Sequence, residues 1–217
     1  ALGIEPLEGL EQPDVRFDPD LGNLFAVRPL ARGQRYRVRT EAIPEYDVNG
    51  PGPVAIAPEA ARYGQLGEIA RAAVSSSDGI DAASQLSALR GWFDSKAYFD
   101  PKGLPGHNMS ALMDFLGKPD LTGFDEQYAA AFAVLARSVG LDVRVVVGYE
   151  IDPASGTTSV RLSDLRAWNE VRTTSGWATI DITPDVNKSA ADEVSATAED
   201  AGALPEPPPL VDVDEPP

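Results

Sequence analysis

Cysteine is absent from all 217 residues, and there is one histidine, His107. The first absence excludes a disulfide framework, thiolate ligation of zinc and a cysteine nucleophile. The second excludes any site that needs two imidazoles. No stretch approaches the roughly 18 consecutive apolar residues of a membrane-spanning helix. Cationic residues are scarce too: 34 acids face 18 Lys and Arg, a net charge of −16. Such a surface repels nucleic-acid phosphates and anionic lipid, so no nucleic-acid partner is expected. The hydrophobic fraction, 43%, is ordinary for a globular chain and sufficient for a core.

Three regions follow from composition. Residues 1–52 are loop-rich and β-like, with "NLFAVRPL" and "QRYRVRTEAIP" as short strands. "DPDLGN", Asp18 to Asn23, has the look of a calcium loop but lacks its later glutamate, so it reads as a turn. Residues 53–185 carry the main domain. Residues 186–217 form an acidic, proline-rich tail, expected to run without regular structure and to act as a spacer. The chain reads as a segment of a longer membrane protein, with any membrane helices flanking it.

Within the main domain, "PEAARYGQLGEIARAAVS" and "GIDAASQLSALRGWFDSKAYFD" predict helices. "MSALMDFLGK" predicts a short one ending at Gly117. The clearest helix spans 124–139. Phe124, Tyr128, Phe132, Leu135 and Val139 form one stripe, and Gly140 stops it. "DVRVVVGYEI", "TTSVRLSD", "LRAWNEVRTT" and "WATIDITP" predict strands, with Ser175-Gly176 as a hairpin turn.

The ordered motifs "GFDEQYA", "LARSVGLDVRVVVGY", "LRAWNEV" and "GWATIDITP" resemble the transglutaminase-like superfamily, most closely its bacterial membrane-anchored, extracytoplasmic kind. The resemblance covers residues 54–185. It implies an α+β papain-like transglutaminase core, with helices packed on an antiparallel sheet and a short β-rich segment before it. It also implies a Cys-His-Asp triad. Carried over, the cysteine position holds Asp125 and the histidine position holds Arg166, while Asp181 keeps the aspartate. Carboxylate attacks an amide poorly, and arginine cannot accept a proton near neutrality. The resemblance therefore implies a pseudoenzyme that binds a peptide, a cell-envelope polymer or a protein partner, with no cofactor and no metal.

The alternative is a hydrolase using Asp125 and Asp181 on a glycan or peptide. An arginine between the two lowers both carboxyl pKa values, against the needs of a general acid. The same arginine opposes a bound cation. Asp125, Arg166 and Asp181 are expected to meet, as an ion-pair staple. In a buried cluster Arg166→Ala would cost about 3–5 kcal/mol, in an exposed one at most about 1, and Asp125→Ala less than Arg166→Ala. Asp125 also follows Thr122 by three, the spacing of a capping box. Gln127, Trp168 and His107 are the candidate ligand-binding residues. Core packing and a cleft wall are both open readings for Trp168. Trp177 is expected in the core, Arg137 and Arg144 are expected to hold structure, and Glu126 is expected in solvent.

Overall fold

The structure, a computed structural model, describes residues 3–5, 14–18, 23–35, 37–39, 42–75, 81–149 and 159–185. Contacts divide the chain into two units, Ala1–Pro44 and Glu45–Pro217. The expectations for the tail, 186–217, fall outside the described residues.

The first unit contains two antiparallel strand pairs. β1 (Gly3–Glu5) pairs with β4 (Arg37–Arg39), and β2 (Val15–Asp18) with β3 (Asn23–Ala26). Asp18 stands opposite Asn23. Residues 19–22, on which the turn reading of "DPDLGN" rests, lie outside the described residues.

The second unit opens with α1 (Ala60–Tyr63) and α2 (Gln65–Ala73). The sequence pattern predicts one helix here. The chain breaks it at Gly64, whose φ of +55° no helical residue adopts. α3 (Ala82–Asp94) starts at Asp81, whose carboxylate accepts the Ala83 and Ser84 N–H groups, each at 3.0 Å. Its Leu86, Leu89 and Phe93 are fully buried. β5 (Ala97–Phe99) follows, and after a loop comes α4 (Met109–Leu116), capped by Asn108. β6 (Leu121–Gly123) pairs with β5 in parallel.

α5 (Asp125–Ser138) is the central helix. Tyr128, Phe132 and Leu135 on its predicted stripe are wholly buried. The Tyr128 hydroxyl accepts the Tyr98 N–H at 3.0 Å and donates to the Leu121 carbonyl, so one buried side chain ties α5 to both β5 and β6. Burial pushes its pKa upward, which keeps the hydroxyl a donor. Gly140 follows the helix at φ +94°. A Cβ there would meet the Ile56 carbonyl oxygen at 2.8 Å.

α5 packs on an antiparallel sheet of β7 (Val143–Tyr149), β8 (Leu165–Thr173) and β9 (Gly176–Ile180), in that order. The α+β core with helices on an antiparallel sheet is therefore as expected. Two local readings need correction. The β8–β9 turn is Thr174-Ser175, since Thr173 pairs with Gly176. Residues 159–161 of "TTSVRLSD" lie outside any strand, and Leu162–Asp164 form a 3-10 turn in which Asp164 accepts the Arg161 N–H at 2.8 Å. By contacts the second unit begins at Glu45. Residues 45–56 belong to the second unit because Tyr46, Val54 and Ile56 donate to Thr179, Arg172 and Gly140 at 2.7–2.8 Å.

Candidate functional site

The site forms where the first turn of α5 meets the start of β8. β8 extends beyond β9: the last pair is Asn169↔Ile180. Ala167 lies past that end, and its N–H donates to Asp125 Oδ2 at 2.8 Å. Asp125 Oδ1 accepts the Glu126 N–H at 3.0 Å. Arg166 Nε stands 3.5 Å from Oδ2. The Asp125 side chain is 15% exposed and that of Arg166 is 45% exposed. The carboxylate is thus a clasp between helix and strand, and the guanidinium closes it from the solvent side.

Asp181 does not join this contact. Continuing the β8–β9 register places it level with Trp168, on the face that carries Arg166. Its Oδ1 accepts the Thr183 N–H at 2.9 Å, and among the described residues it makes no ion pair. The aspartate sits one residue past β9, where the chain turns and offers its own N–H. The arginine thus pairs with one carboxylate, that of Asp125. The capping reading of Asp125 is corrected as well. The residue before α5 is Phe124, and it is Gln127 Oε1 that accepts the Phe124 N–H, at 3.2 Å.

The other two residues of the first turn also reach outward. Glu126 Oε1 contacts His107 Nδ1 at 2.7 Å, so Glu126 has a partner besides solvent. Gln127 is 4% exposed and its Nε2 donates to the Leu104 carbonyl at 3.1 Å. Beside it lies a cleft of about 400 Å³ whose walls include Lys102, Leu104, Asp114, Phe115, Thr122 and Gln127. That volume suits a small ligand. Asp125, Arg166, Trp168 and His107 are not among its walls. Gln127 faces the cleft, yet both ends of its amide are engaged by protein.

Trp168 is half-buried over Gly148, where a Cβ would come within 3.2 Å of the indole. Trp177 is not a core residue. It is half-buried, with the Arg144 guanidinium 4.1 Å and that of Arg172 5.4 Å from its ring. Arg144 also pairs with the buried Glu170 at 2.6 Å. Arg137 holds Glu59 through Nε at 3.1 Å and through its second nitrogen, and donates to the Val143 carbonyl at 3.3 Å. The arginine holds the Glu59 carboxyl below its usual pKa. Sequence reasoning did not find Asn169, which is fully buried and donates to the Ala129 carbonyl at 2.9 Å. It aligns with no motif position read for chemistry, so nothing in the text marked it.

Chemically, the clasp offers little. Both oxygens of Asp125 accept protein N–H groups, and the guanidinium stands 3.5 Å from one of them. Arginine cannot serve as a base.

The sequence pattern of the transglutaminase-like superfamily matches residues 67–182. Among solved structures, the periplasmic domain of TgpA from Pseudomonas aeruginosa bound to ethylmercury is 24% identical, with a TM-score of 0.54. The match covers 89% of this chain and 67% of that one. A second structure of the same periplasmic domain is 26% identical over 54% of this chain and 41% of that one, with a TM-score of 0.44. The chain thus spans from two-fifths to two-thirds of the TgpA domain structures it matches. No curated protein matches. With the family pattern running over more than half of its residues, the chain belongs to the transglutaminase-like superfamily.

Proposed function

We propose that this chain is a catalytically silent transglutaminase-like domain. It works on the extracytoplasmic face as part of a membrane protein, and it binds a peptide, a cell-envelope polymer or a protein partner. One observation carries the reading. The position that aligns with the family's nucleophile is occupied by Asp125, whose carboxylate is spent on the Ala167 N–H and Arg166. The absence of cysteine from the chain supports it. So does the arginine at the position of the base, which cannot take a proton.

The hydrolase reading, with Asp125 and Asp181 as acid and base, loses support from the same contacts. Both Asp125 oxygens are engaged by protein N–H groups, whereas a general acid must present its carboxyl to the substrate. The extracytoplasmic placement draws support from the periplasmic domain that shares the fold. The binding role draws support from the cleft beside Gln127, which does not depend on a nucleophile.

The experiment compares the unaltered domain with the Asp125→Cys/Arg166→His double variant on glutamine-donor and peptide substrates. The unaltered domain is expected to be inert, with weak turnover appearing in the double variant. Robust turnover by the unaltered domain, abolished in Asp125→Ala, would overturn the proposal.

A further inference from the structure

β7 is an edge strand. It pairs with β8 at all seven positions and, among the described residues, with nothing on its other side. The isolated bridge Ala55↔Leu141 ends two residues before it begins. Proteins usually blunt such an edge with a lysine, a proline, a bulge or a covering segment. β7 reads Val-Arg-Val-Val-Val-Gly-Tyr, in unbroken register, with none of the first three.

Its side chains on the α5 face are also uncovered. Val145 is 43% exposed, Val147 60% and Tyr149 38%. Leu165, which pairs with Tyr149 on β8, is 40% exposed. Four large apolar side chains therefore line the unpaired end of the sheet. This is a surface built to be covered.

Charge selects the occupant. The molecule carries −16, so most of its faces repel another copy of itself. Residues 143–149 contain no carboxylate. A second copy can meet this one here without bringing two acids together.

The register adds a second argument. Antiparallel pairing of β7 with β7 of a second copy, centred on Val147, sets Val147 against Val147 and Val145 against Tyr149, twice over. A β-branched residue opposite an aromatic one is a favourable cross-strand pair. Extended through β8, the central row reads Ala167, Val147, Val147, Ala167 and the flanking rows read Leu165, Tyr149, Val145, Asn169. Val145, Val147 and Tyr149 each then gain an apolar neighbour from the second copy. Such a contact is isologous and closes on itself.

We propose that β7 is a homodimerisation edge, through which two copies join their three-stranded sheets into one of six strands about a two-fold axis at Val147. This does not rest on the reading of the former triad.

The chain's lack of cysteine makes the test clean. Val147→Cys places the new thiol on the two-fold axis, where facing Cα atoms of an antiparallel pair lie about 4.5–5.5 Å apart, within disulfide range. Leu104→Cys, at a side chain 90% exposed on a loop of the cleft, is the control. Under mild oxidation Val147→Cys is expected to form covalent dimers at least about tenfold faster than Leu104→Cys. Light scattering of the unaltered 217-residue chain is expected to show a dimer fraction that rises with concentration and with salt. Salt screens the like net charges, since the Debye length falls from about 10 Å at 0.1 M to about 3 Å at 1 M. Val147→Lys is expected to weaken the dimer at least about tenfold while leaving the circular dichroism unchanged. Equal cross-linking by the two cysteine variants would overturn the proposal. So would a monomeric mass for the unaltered chain at every concentration and salt.

Discussion

Replacing Asp125 with alanine tests the clasp directly. The substitution leaves the Ala167 N–H, in a partly buried position, without its acceptor. A donor left unsatisfied in this way costs about 1–3 kcal/mol. Loss of a negative charge from the first turn of α5 adds about 0.3–1 kcal/mol. The Arg166 pair adds little, because the guanidinium is 45% exposed and such pairs are worth about 0–1 kcal/mol. These terms are not fully additive, and the expected loss is about 2–3 kcal/mol. Arg166→Ala leaves the Ala167 bond in place and is expected to cost at most about 1 kcal/mol. Asp125→Asn keeps an oxygen for Ala167 and is expected to fall between them. This order reverses the expectation from sequence, in which the arginine was the centre of the cluster. Urea unfolding followed by tryptophan fluorescence measures it. With a slope of about 2 kcal/mol/M, the midpoint of Asp125→Ala should fall by about 1–1.5 M. Equal losses for Asp125→Ala and Arg166→Ala, or a loss under about 0.5 kcal/mol for the former, would refute the reasoning.

Other perturbations follow from the same geometry. Tyr128→Phe removes the buried hydroxyl that holds Tyr98 and Leu121, and should lower stability by about 1–3 kcal/mol in the same urea assay. Gly140→Ala combines a left-handed backbone with a Cβ 2.8 Å from the Ile56 carbonyl; a loss of at least about 1–2 kcal/mol by urea unfolding is expected. The Glu59 carboxyl is held below its usual pKa by Arg137, so its contribution is present above the unfolded value and is lost as pH falls through the lowered folded one. Stability measured from pH 7 downward should decline through that acid range, and Glu59→Gln should remove this part of the decline while lowering stability at pH 7.

Some of this was legible in the text and some was not, for physical reasons. α5 declared itself through a five-residue apolar stripe and a terminal glycine, because a fully buried helix must repeat its contacts every turn. β7 was plain from its dense β-branched run. The helix expected through "SKAYFD" ends at Asp94, and β5 stands in its last residues; three residues give no periodicity, and their identity as a strand comes from pairing with β6. "PEAARYGQLGEIARAAVS" read as one helix because apolar periodicity runs across Gly64, and only the backbone angle reveals the break. Trp177, matched to an aromatic position of the family, was expected in the core. Two arginines from β7 and β8 converge on its ring, which no linear spacing announces. At the site, motif order correctly brought Asp125 to Arg166. It did not show that Asp181 turns to its own backbone, because that depends on where β9 ends.

The three residues that open α5 each grip a different part of the chain. Asp125 holds β8, Glu126 reaches His107, and Gln127 holds the Leu104 carbonyl. Here all three are moorings, and two of them fasten one loop, at residues 104 and 107. Changing any one of them does more than alter a side chain on a helix: it loosens a seam between the helix and another part of the chain. The opening turn of α5 is a junction, at which β8 and the 104–107 loop share one anchor.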